Sequence, residues 1–76
     1  MHQNNKSPVL SVSAKVVAKR TEISRSSNTW YYATFEVESG DRMEFPMQGK
    51  VYGLMAEGDR GKLTFQGTRF LEFERE

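Results

Sequence analysis

Cysteine is absent from this chain, and histidine occurs once, at position 2. No disulfide can staple the domain, and no thiolate is available to hold zinc. A lone histidine is not a ligand set, and no second one stands beside the loop serines to act as their base. Proline is nearly as scarce, with only Pro8 and Pro46. No apolar run approaches the ~18 residues that a membrane-spanning helix needs, and no signal peptide pattern is visible. A net charge of +1 over 76 residues is too small to imply a polyanionic partner. These absences leave a single small domain that a packed core must hold together. A chain this short buries only ~60–65% of its unfolded surface.

What is present is a strong strand pattern. Thr29 to Met47 reads as two runs of aromatic and β-branched residues around Ser39-Gly40, the mark of a β-hairpin. Tyr31, Ala33, Phe35 and Val37 share one face by period 2, and Trp30, Tyr32, Thr34, Glu36 and Glu38 share the other. A two-residue loop would pair Val37 with Arg42 and put a charge on the apolar face. A three-residue loop, Glu38 to Gly40 with Gly40 left-handed, instead pairs Phe35 with Met43 and Ala33 with Phe45.

Val9 to Arg20 reads as one long strand, with Leu10, Val12, Ala14, Val16 and Ala18 inward and Lys15, Val17 and Lys19 outward. A strand of that length is expected to bend or bulge near Ser13 or Ala14. Residues 1–8 read as a disordered tail or linker, and residues 9–76 as one domain. Thr21 to Asn28 has loop composition. Val51, Leu54 and Met55 recur at helical spacing, and Gly58 is placed to stop that short helix.

Lys62 to Gln66 and Arg69 to Arg75 form a last hairpin. Leu71 and Phe73 point inward in one register. A two-residue turn at Gln66-Gly67 gives another, pairing Leu63 with Phe70.

The order is therefore β-β-β-short helix-β-β, all-β and antiparallel. That order suggests a small five-stranded barrel, OB-like, with an SH3-like barrel as the alternative. The expected core is Val12, Ala14, Val16, Ala33, Phe35, Val37, Met43, Phe45, Leu54, Leu63, Phe65 and Phe73.

A further signal lies in longer stretches. Phe35-Glu36-Val37-Glu38-Ser39-Gly40-Asp41-Arg42-Met43-Glu44-Phe45, Tyr52-Gly53-Leu54, and the run from Ala56 through Glu57-Gly58-Asp59-Arg60-Gly61 to Phe70 resemble the uncharacterised bacterial proteins grouped as domain of unknown function 2500. Ala18-Lys19-Arg20-Thr21 does so too, and the resemblance spans residues 14–75. It carries no catalytic residues over. It implies a domain that follows an N-terminal transmembrane helix in the full-length protein, hence membrane anchoring, with residues 2–8 as the juxtamembrane linker.

Charge is unevenly spread. Residues 1–30 hold five cations and one carboxylate, while residues 31–76 hold six cations and nine carboxylates. Glu36, Glu38, Glu44, Glu72 and Glu74 fall at outward strand positions, where solvated carboxylates are ordinary, so no acid-base pair is expected. No phosphate loop appears. No enzyme activity, metal or cofactor is expected.

The candidate binding residues are Trp30 and Tyr32, with Lys15, Val17 and Lys19 beside them if the first two strands are neighbours. Interleaved aromatic and basic groups would suit a nucleic-acid or oligosaccharide platform. The carboxylates on the same face disfavour nucleic acid. A protein, peptide or membrane-surface partner is the leading expectation, with weak self-association as another.

Overall fold

The computed structural model describes residues 6–76. Residues 1–5, with His2 and most of the expected tail, lie outside the described residues. Five strands and one helix follow in the expected order: β1 Val9–Ile23, β2 Thr29–Val37, β3 Arg42–Met47, α1 Gly49–Gly53, β4 Arg60–Gln66 and β5 Arg69–Arg75. Ser7 is tied to this sheet, because its carbonyl accepts a 2.9 Å hydrogen bond from the Gln66 side-chain amide.

All pairings are antiparallel, in the spatial order β3-β2-β1-β4-β5. The sheet is not closed. β3 and β5 form its two edges, and it curls until Phe45 and Phe70 stand 6.4 Å apart between ring centroids. The architecture is thus a strongly curled open sheet where sequence suggested a shut barrel. Side-chain packing, with no ladder, links its edges.

The β2-β3 hairpin has the expected register. Phe35 opposes Met43 and Ala33 opposes Phe45. Gly40 sits at φ +91° and donates to the Val37 carbonyl at 2.8 Å. Only glycine takes that conformation cheaply, which makes the three-residue loop work.

β1 departs from simple alternation. It runs on to Ile23, and its bulge lies between Val16 and Ala18, several residues after Ser13 and Ala14. Val17 is the extra residue, so the faces exchange beyond it. Before the bulge Ala14 and Val16 oppose Val37 and Phe35. After it Lys19 opposes Ala33, while Ala18 and Arg20 oppose Thr34 and Tyr32 on the outer face. Ala18 is consequently exposed, and Lys19 is inward. The Gly58-Asp59 turn grips β1 beside the bulge: Val16 N–H donates to the Asp59 carbonyl at 2.8 Å, and Gly58 N–H donates to the Val16 carbonyl at 2.7 Å.

The last hairpin also carries a bulge. Gln66 opposes Arg69 and Phe65 opposes Phe70, yet Leu63 opposes Phe73. The slip at Leu71 lets both Phe70 and Phe73 face the core, and leaves Leu71 exposed.

The buried core is Ala14, Val16, Ala33, Phe35, Phe45, Met55, Leu63 and Phe65. Val12, Val37, Met43, Met47, Val51, Phe70 and Phe73 pack around it. Phe35 is its centre, with ring centroids of Phe73, Phe70 and Phe45 at 5.2, 6.0 and 6.1 Å. Two expectations fail here. Leu54 is 72% exposed, because α1 ends at Gly53 and Met55 takes the inward place. Leu10 is exposed at the open end of the sheet.

Candidate functional site

The bulge in β1 rearranges the expected site. Lys15, ahead of it, faces outward between Glu36 on β2 and Arg60 on β4. Val17 is the half-buried bulge residue itself and opposes neither Trp30 nor Tyr32. Lys19 stands on the inner face. Its ammonium donates to the Met55 carbonyl at 2.5 Å and lies 4.1 Å from the Tyr52 ring centroid. The five candidates therefore do not form one patch, and the basic-aromatic stripe of a nucleic-acid platform is not assembled.

The residue that meets Tyr32 is Arg20, which simple alternation would have placed inside. Its guanidinium covers the Tyr32 ring at 4.1 Å. It reaches over β2 to hold Glu44 on β3 in a two-pronged grip, Nε to Oε2 at 2.7 Å and Nη2 to Oε1 at 2.9 Å. Its third nitrogen donates to Glu22 at 2.8 Å. Arg20 is raised further by these bonds, and the hydrogen bond from Arg20 holds the Glu44 carboxyl below the usual carboxylate range. Planar bidentate pairing is the geometry arginine suits. Arg20 on β1, Tyr32 on β2 and Glu44 on β3 thus staple three strands together, with Glu22 bracing the arginine. The adjacent valines at 16 and 17 were the available sign of the bulge, since two neighbouring apolar residues cannot both obey period 2.

Trp30 lies past this staple. It is 53% exposed. The β2-β3 ladder stops at Tyr31 opposite Met47, where the chain leaves for α1. Trp30 has Glu22 beside it on β1 and no strand on its other flank. A shallow, mostly apolar trough opens there, lined by Trp30, Tyr31, Pro46, Met47 and Gly49, with Thr29 and Gln48 at its ends. Tyr31 forms a firm wall. Its ring meets that of Tyr52 at a tilt, with centroids 5.1 Å apart, and it lies so close to Gly49 that a Cβ there would stand 2.7 Å from Cε2. Neither the curl of the sheet nor the Ser24–Asn28 turn covers Trp30.

Among the described residues no three His, Cys, Asp or Glu side chains converge to hold a metal ion. No helix among them is long and apolar enough to cross a membrane.

A curled, open, five-stranded sheet with one short helix and a surface trough defines a small all-β domain class. The chain belongs to the family described as protein of unknown function (DUF2500), whose model matches residues 1–74. A crystal structure of a DUF2500 protein from Klebsiella pneumoniae is similar, with 30% identity and a TM-score of 0.79, over 88% of this chain and 97% of that one. A crystal structure of a Proteus penneri protein shares the fold at 22% identity and a TM-score of 0.83, over 91% and 93% of the two chains. A search of curated proteins finds no match.

Proposed function

We propose that this domain is a non-catalytic interaction module whose contact site is the trough at Trp30. One observation carries the reading: the single tryptophan keeps 53% of its surface in water beside an apolar trough. Tryptophan is a favoured anchor at interfaces because it removes a large rigid surface from water at small entropic cost. Three carboxylates of the outer face are held in ion pairs, Glu44 and Glu22 with Arg20 and Glu36 with Arg42. We further propose that the domain works beside a membrane, held there by a preceding helix in the full-length protein. That part rests on the family resemblance.

The test is site-directed photo-cross-linking in cells, with a benzophenone amino acid at position 30 and, as control, at Ser13 on the outer face. A discrete adduct at position 30 that Ser13 lacks is the expected result. An adduct of two chains would identify self-association as the interaction. Identical patterns at the two positions, or none, would overturn the reading. Recovery of the full-length protein in the soluble fraction would remove the membrane part alone.

A further inference from the structure

This inference rests on the interaction reading and specifies the partner. The flank of β2 at Thr29 and Trp30 has no neighbouring strand on the β3 side, because the ladder ends at Tyr31 and Met47. An extended peptide can pair with such a flank through its main chain, and alternate side chains then read the surface beside it. Here that surface is the trough of Trp30, Pro46 and Met47.

Charge complementarity selects the peptide. Arg20 already engages Glu22, which opposes Trp30 on β1, and Glu44 on β3. Lys50 follows Gly49 in the trough wall, and Arg25 lies in the turn that closes the same end of the β1-β2 ribbon. Neither has a hydrogen-bond or ion-pair partner among the described residues. With Arg20 neutralised by Glu22 and Glu44, Lys50 and Arg25 are the cations this end leaves for a partner. We infer that the trough receives an extended, acidic segment of a partner protein, laid along the unpaired flank of β2. One apolar side chain of that segment enters against Trp30 and Met47, and its carboxylates lie toward Lys50 and Arg25.

Other anions fit less well. A nucleic-acid backbone needs a run of unpaired cations to follow it, and among the described residues this end offers two, Lys50 and Arg25. A lipid surface would have to admit Ser24, Ser26, Ser27 and Asn28 at the tip of the ribbon, all polar.

The experiment is selection of a random heptapeptide display library on the whole chain. Enriched peptides should each carry an apolar residue and two or more carboxylates. Their synthetic forms should lose about tenfold in affinity against Trp30→Ala. They should weaken with Lys50→Glu and with added salt, since exposed charges are screened. Lys50 is on the helix surface, so that variant probes the trough even if Trp30→Ala alters the strand, and melts of both variants check folding. Enrichment of neutral or basic peptides that still require Trp30 overturns the acidic occupant and leaves the interaction reading intact. No enrichment, or a stronger response to oligo-dT or to phosphatidylserine vesicles, overturns the peptide, while cross-linking at position 30 decides the interaction reading separately.

Discussion

The ammonium of Lys19 lies 4.1 Å from the centroid of the Tyr52 ring, on the inner side of the sheet. The same group caps the chain after α1 by donating to the Met55 carbonyl at 2.5 Å. Lys19→Met keeps the stem and removes both contacts. The expected loss is about 1–2 kcal/mol, as for a charged hydrogen bond with a cation–π contact. Lys15→Met, on the outer face, should stay within about 0.5 kcal/mol of the parent. Urea unfolding of the two variants checks this, and equal losses would contradict the exchange of faces at Val17.

Phe35 is fully buried among Phe45, Phe70 and Phe73. Phe35→Ala should cost about 3–5 kcal/mol, which is much of the stability of a domain this size. Leu54→Ala, at a residue 72% exposed, should cost within about 0.5 kcal/mol. Thermal melts of both variants test where the core ends.

Two glycines should respond in opposite directions. A Cβ on Gly61 would run into the backbone carbonyl oxygen of Glu74, so β4 and β5 would have to separate. Gly61→Ala should cost about 1–3 kcal/mol, the range for overpacking. Gly53 closes α1 with nothing within 4 Å of its would-be Cβ. Gly53→Ala should stabilise by about 0.5–1 kcal/mol through helix propensity and a less flexible unfolded chain. Paired denaturation curves would show the opposite signs.

Acid should loosen the strand staple. Glu44 is held below the ordinary carboxylate range, chiefly by its hydrogen bond from Arg20. A lowered folded value means stability that is present above the unfolded value, about pH 4.3, and lost as pH falls through the lower folded one. Glu44→Gln should therefore melt below the parent at neutral pH, with the gap closing in acid. The gap should be small, because exposed pairs are screened by water. Parallel melting curves down to the acid limit would show that Glu44 contributes nothing.

Trp30→Ala should leave the melting temperature nearly unchanged while altering association at the trough. The parent should emit as a largely exposed tryptophan, given 53% exposure. A blue-shifted emission, or a variant that unfolds, would place Trp30 in the core.

Much of this molecule was legible in the chain alone. Period 2 across Tyr31–Val37, with Gly40 at the turn, determined the central hairpin and its register. The two-residue alternative there put Arg42 on the apolar face. The absence of cysteine and the terminal place of the one histidine limited the chemistry before any fold was known. The order of strands and the short helix followed from where the hydrophobic period changes.

Tertiary structure decided the rest. A bulge costs one residue of register, and the paired valines at 16 and 17 mark a break in alternation without fixing which residue the partner strand skips. The bulge at Val17 lies beyond the bend expected near Ser13 or Ala14, and that moved Lys19 inside and brought Arg20 out onto Tyr32. The same effect at Leu71 turned two phenylalanines, three apart, toward one core. The sheet stayed open because Phe45 and Phe70 meet across its edges before the backbones can. Trp30 is exposed for a reason no local pattern contains: β3 ends one pair short of it, and the chain turns away into α1.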